Sequence, residues 1–113
     1  MAIPSGSGTE VLKRAYGNAL SAAWTDLLTG VANHIYTVIS IVACDAGTAA
    51  EKVSIRVDVG GTEMTIITNQ DIPADGTFVF SDRLVLSGTD KIEVYNTAGN
   101  VDWYLSYIDQ DWT

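Results

Sequence analysis

Residues 35–59 read IYTVISIVAC (35–44), DAGTAA (45–50) and EKVSIRVDV (51–59). The first run is continuously apolar and rich in β-branched residues, as expected of a fully buried strand. The last alternates strictly: Val53, Ile55, Val57 and Val59 fall on one face, Ser54, Arg56 and Asp58 on the other. A small polar loop separates the two runs. Together they predict a hairpin at the centre of a β-sandwich, a rigid scaffold with no site of its own. Functional residues are then expected at the chain ends and in the loops.

Outward from this centre the strand signal continues. Gly60-Gly61 is a two-residue turn in which positive φ is cheap, joining residues 52–59 to residues 62–68 as antiparallel neighbours. Loops around Pro73, Asp75-Gly76, Ser87–Asp90 and Asn96–Asn100 separate short apolar runs at 77–80, 84–86, 91–95 and 101–108. In the last of these Val101, Trp103, Leu105 and Tyr107 share one face. Residues 9–29 are harder to read. Leu12, Tyr16, Ala19, Ala23 and Leu27 fit helical spacing, whereas Gly17-Asn18 interrupts it, and Val11, Tyr16, Trp24 and Thr25 favour strands. Two short strands, residues 10–16 and 22–28, are the preferred reading, with one amphipathic helix as the alternative. The fold class is all-β: an antiparallel β-sandwich or jelly roll of about eight strands, with an extended N-terminal arm.

Composition bounds the rest. The 113 residues make a single domain, residues 9–113, preceded by a small-residue arm, residues 1–8, MAIPSGSG. Ile3 and Pro4 are its apolar tip and candidate anchors on a neighbouring subunit, with a disordered tail as the alternative. Only 18% of residues are charged while 47% are hydrophobic, a balance that leans toward an oligomer or an assembled particle. A net charge of −8 with six Lys and Arg argues against nucleic acid and against an anionic membrane surface. The N-terminus has no basic and apolar signal pattern, and no run approaches the length of a membrane span. Synthesis in a cytoplasm is expected.

Chemistry is sparse. His34 and Cys44 are the only histidine and cysteine, and they lie at opposite ends of one predicted strand, about 33 Å apart at roughly 3.3 Å per residue. They cannot form a nucleophile–base pair within one chain. His34 reads as structural or solvated, and Cys44 as a small buried hydrophobe. Asp109-Gln110-Asp111, and Asp71 with Asp75, are the only clustered oxygen ligands, and turn-forming or solubilising roles explain them without a metal. No catalytic residue, metal ligand or cofactor is expected, and the chain reads as a non-enzyme. Among the aromatics, Trp24, Trp103, Tyr104, Tyr107 and Trp112 are candidates to stack on sugar rings, and core packing explains Trp103 and Tyr107 as well or better. Trp112, beside the C-terminus, is a second candidate contact residue.

Four stretches, EVLKRAYGNALSAAWTDLLTG (10–30), NHIYTVISIVACDAGTAAEKVSIRVD (33–58), NQDIPADGTFVFSDRLVLSGTDKIEVYN (69–96) and VDWYLSYIDQDW (101–112), together resemble small structural proteins of tailed bacteriophages. Thr29–Asn33 departs from the proline-containing turn of many relatives. The resemblance implies strand and loop for residues 9–29. It also implies a capsid decoration (cement) protein, or an accessory head or tail protein. Such a protein would bind the major capsid protein on the outer capsid surface of the virion, as a homotrimer, which adds the capsid as a candidate contact of Ile3 and Pro4. The alternative is a tail- or fibre-associated module that binds a host glycan or another tail protein. The resemblance carries no catalytic or cofactor residue.

Overall fold

A computed structural model describes residues 9–112. Among the described residues nine strands, all antiparallel to their neighbours, form two sheets: β1 (Thr9–Leu20), β2 (Thr25–Thr29), β3 (His34–Asp45), β4 (Glu51–Val59), β5 (Thr62–Ile72), β6 (Thr77–Phe80), β7 (Leu84–Ser87), β8 (Lys91–Asn96) and β9 (Val101–Asp111). One sheet runs β1-β9-β3, with β6 and β7 both on the far side of β3. The other runs β2-β8-β4-β5. Successive strands thus alternate between sheets except at the β4–β5 turn and between β6 and β7, and the two antiparallel sheets form a sandwich. β6 and β7 are two pieces of one edge line. Phe80 pairs with Ile41, Leu84 pairs with Val38, and residues 81–83 interrupt the ladder.

The 9–29 stretch forms two strands, as preferred, with bounds of Thr9–Leu20 and Thr25–Thr29 in place of 10–16 and 22–28. β1 extends through Gly17-Asn18, because that pair is absorbed as an irregularity in register between Gly17 and Leu20 while β9 holds both sides.

The predicted hairpin of residues 35–59 does not form. β3 and β4 lie in opposite sheets and face each other across the core: Val38, Ile41 and Ala43 point in from one side, Val53, Ile55 and Val57 from the other. The corner between them is fixed at Asp45. Its N–H donates to Gly76 O at 2.9 Å, its Oδ1 accepts from Gly47 N–H at 2.9 Å, and Ala46 N–H donates to Asn100 O at 2.9 Å. β3 is also not buried on both faces. A bulge between Val38 and Ser40 shifts its phase, so Tyr36 and Val38 face inward before it and Ile41 and Ala43 after it. That shift made an alternating strand look continuously apolar. In β4, Val53, Ile55 and Val57 are buried as expected, but Val59 is exposed at the hairpin tip. The β4–β5 turn forms as expected, with Gly60 at φ 59° and Gly61 at φ 95°.

Trp103, Leu105, Ile92, Val94 and Leu86 belong to the same core, with Leu27, Leu28, Ile72, Val101 and Tyr107 around them. At one end of the sandwich Gly30 lies against the β7–β8 turn. A Cβ at Gly30 would stand 2.1 Å from Gly88 O, with nothing flexible to yield. Gly30→Ala should therefore lower stability by about 1–3 kcal/mol, read as a lower urea midpoint at unchanged slope.

Candidate assembly surface

The phase of β9 sets the outer face of the five-stranded sheet. Because Val101, Trp103, Leu105 and Tyr107 point inward, Tyr104, Ser106 and Ile108 point outward. Pairing carries the same phase to β1, where Leu12 lies opposite Ile108, Arg14 opposite Ser106, and Tyr16 opposite Tyr104. On the other flank Val42 pairs with Tyr104, and the edge pieces add Val79 and Val85. Leu12 is 70% exposed, Tyr16 69% and Val85 63%. This face is a broad apolar surface with few charges.

The four-stranded sheet differs: its outer face carries ion pairs, although its edge strand β5 leaves Met64 and Ile66 exposed. Arg56 pairs with Glu93 at 2.9 Å and with Glu63, Lys52 pairs with Asp71, and Lys91 lies 3.5 Å from Asp26. Trp24 is covered there by the Arg56 guanidinium, 3.9 Å from the ring centroid, and packs on Tyr95 at 5.5 Å. One face carries ion pairs that stay hydrated, and the other carries aliphatic and aromatic groups that gain from being covered.

Two depressions run along the apolar face. One of 420 Å³ lies between the end of β1, β9 and β3, lined by Arg14, Tyr16, Gly17, Asn18, Val42, Cys44, Asp102, Trp103 and Tyr104. A smaller one of 310 Å³ shares Arg14 and Tyr104 with it and continues to Leu12. Cys44 is therefore not the buried hydrophobe expected. It sits on the outward phase of β3, half-buried in the groove wall, while its neighbours Ala43 and Asp45 face in.

A polar cluster closes the opposite end of the same sheet. Asp109, 3% exposed, receives Lys13 Nζ at 2.8 Å and His34 Nδ1 at 2.7 Å, and His34 Nε2 lies 3.5 Å from Asp111. Asp109 is thus neither a turn former nor a solubilising residue. It ties β1, β9 and β3 together beside the packed rings of Tyr36 and Tyr107, whose centroids are 4.8 Å apart. Burial pushes the Asp109 carboxyl up, but the hydrogen bonds from Lys13 and His34 more than reverse this and leave it below its ordinary value. Its stabilising contribution is present above the unfolded-state pKa, near 4, and is lost as pH falls through the lower folded value. At the alkaline end Lys13 is raised by its hydrogen bond to Asp109, and Tyr36 and Tyr107 are raised by burial. Those contributions hold below pH ~10 and are lost as pH rises through the folded values. Asp109→Asn should flatten the acid limb of stability against pH, as followed by thermal melts from pH 2 to 7.

Of the expected contact residues, Trp112 is half-buried, and its backbone N–H donates to Asn33 O at 3.0 Å. Its indole Nε1 is buried with no hydrogen-bond partner among the described residues. Ile3 and Pro4 lie outside the described residues. Trp103 and Tyr107 are core, and Tyr104 is exposed in the groove. The outward row Leu12, Arg14, Tyr16 escaped the sequence reading, although alternation along β1 would have shown it.

No protein-family model matches the chain, and no curated protein does. Solved structures do match. A protein of the Bacillus endospore appendages, described as disulfide-linked pili, superposes with a TM-score of 0.60 at 16% identity, covering 100% of this chain and 97% of that one. A chain of the capsid of the Helicobacter pylori bacteriophage KHP30 superposes with a TM-score of 0.54 at 9% identity, covering 96% and 92%. A chain of the infectious bursal disease virus particle gives a TM-score of 0.57 at 10% identity, covering 98% of this chain and 33% of that longer one. The fold is thus a β-sandwich found in capsid and pilus proteins, which are structural proteins.

Proposed function

We propose that this is a virion structural protein, a capsid decoration (cement) protein that binds the outer capsid and stabilises the shell. The observation that carries this reading is the contrast between an outer face of exposed apolar side chains and one of ion pairs; in this reading the first is covered by the particle and the second stays in water. Likeness to a phage capsid chain of similar length supports the same reading. The mechanism is burial of apolar area between capsomers, with a closed homo-oligomer, a trimer, bridging several major capsid subunits at once. Ile3, Pro4 and Trp112 are proposed as additional contacts to the capsid or a neighbouring protomer. The test is co-sedimentation with capsids lacking the protein, followed by imaging of the decorated particles. Saturable binding at symmetric outer sites supports the reading, and absence of binding rejects it. Trp112→Ala should weaken capsid binding by about tenfold, equivalent to about 1.4 kcal/mol. Undiminished affinity would remove Trp112 from the contact.

One observation favours a second reading, a tail- or fibre-associated module that binds a host glycan. Tyr16 and Tyr104 flank the groove beside Arg14 and Asp102, a set able to stack on a sugar ring and bond its hydroxyls. A glycan screen with Tyr104→Ala as control decides it.

A further inference from the structure

We infer that the 420 Å³ groove at Tyr16, Val42, Cys44 and Tyr104 receives the N-terminal arm of a second copy of this chain, with Ile3 and Pro4 as its anchors. The inference rests on the reading of the protein as an assembling structural subunit and names the surface that subunit contacts use.

Three observations converge. The first is chemical fit. The arm MAIPSGSG holds an Ile-Pro pair followed by a Ser/Gly spacer, and the groove wall includes two tyrosines, a valine and a thiol, with Arg14, Asn18 and Asp102 as polar members able to bond an extended backbone. A residue before proline is confined to extended backbone, and aromatic-lined grooves accept such pre-extended proline segments at low entropic cost. The second is charge. Residues 1–8 carry no charged side chain, so they can approach a protein of net charge −8 without repulsion between side chains.

The third is reach, which selects the second copy. β1 begins at Thr9, opposite Asp111, and the groove lies at Tyr16 and Gly17, toward the other end of the strand. Seven residues of strand span about 23 Å. An arm folding back on its own chain must reverse direction within at least two residues. From Thr9 to Ile3 that leaves about four residues, or roughly 14 Å at full extension. A reach of that length is shorter than the distance along β1 to the chain's own groove, whereas an arm of a neighbouring copy is not bound by it. An arm-to-groove contact is head-to-tail, so repetition closes a ring when the rotation allows it.

Cys44 is the chain's only cysteine and stands in the groove wall, which makes it a built-in reporter. The variant Ile3→Cys is prepared, shown to fold as the parent by circular dichroism, and oxidised with diamide. The expected result is a covalent ladder on a non-reducing gel, with peptide mapping placing the disulfide between position 3 of one copy and Cys44 of another. Ser7→Cys, four residues nearer β1, should give far less of this linkage. In a second arm, the chain lacking residues 1–8 is mixed with the synthetic peptide MAIPSGSG. Alkylation of Cys44 should slow by about tenfold once the peptide is near ten times its Kd, and Tyr104→Ala should abolish the protection. A disulfide within one monomer, linkage only between two position-3 thiols, or Cys44 alkylation indifferent to the peptide would each overturn the inference. Capsid co-sedimentation separates it from the functional reading. Capsid binding without arm-to-groove linkage rejects only the inference, and linkage without capsid binding rejects only the decoration role.

Discussion

Trp103→Ala is expected to remove about 3–5 kcal/mol of stability, a large share of what a domain of this size possesses. Trp103 is 2% exposed on β9, the strand held between β1 and β3. Its indole Nε1–H donates to Asn96 Oδ1 at 3.3 Å on β8, in the opposite sheet. The Asn96 amide in turn donates to Leu20 O at 2.9 Å and to Ala98 O. One side chain thus fills the core and joins the two sheets at the end where β1 leaves. Trp103→Phe keeps most of the burial but leaves Asn96 Oδ1 without its indole donor, at a cost of about 1–3 kcal/mol. Urea titrations followed by far-ultraviolet circular dichroism should place the midpoints in the order wild type, Trp103→Phe, Trp103→Ala. Equal midpoints for Phe and wild type would show that the hydrogen bond contributes nothing.

The second large effect concerns assembly and leaves folding nearly untouched. Leu12→Glu combined with Tyr16→Glu puts two carboxylates on the apolar face, at positions 70% and 69% exposed. Surface changes of this kind usually alter stability by no more than about 0.5 kcal/mol. At an interface, a desolvated unpaired carboxylate is far more costly, and capsid affinity should fall at least about a hundredfold, or about 2.7 kcal/mol. Lys52→Glu, on the ion-paired face, serves as the matched control and should leave affinity within about threefold. A control as damaging as the double variant would place the contact on the wrong sheet.

The sequence was legible where structure is local. Gly60-Gly61 defines its hairpin within a few residues, and the alternation of Val101, Trp103, Leu105 and Tyr107 assigns the inward face of β9 by itself. It was misleading where pairing is remote. β3 pairs with β9, some sixty residues away, so nearness to β4 in the chain suggested a hairpin where the fold builds a sandwich corner. The bulge at Val38–Ser40 hid the alternation of β3, and with it the outward position of Cys44. His34 and Asp109 are 75 residues apart, and no spacing rule brings them together. The contrast between the sheet faces becomes visible only once register assigns Leu12, Tyr16, Tyr104, Val79 and Val85 to one surface.

The central claim is that the apolar face of the five-stranded sheet is the one covered in the assembled particle. Hydroxyl-radical footprinting of the free and the particle-bound protein tests it directly, because aromatic side chains report on both faces. The account predicts strong protection of Tyr16 and Tyr104 on assembly, with Trp24 and Tyr95 unchanged. Protection of Trp24 and Tyr95 with Tyr16 and Tyr104 still reactive would contradict it.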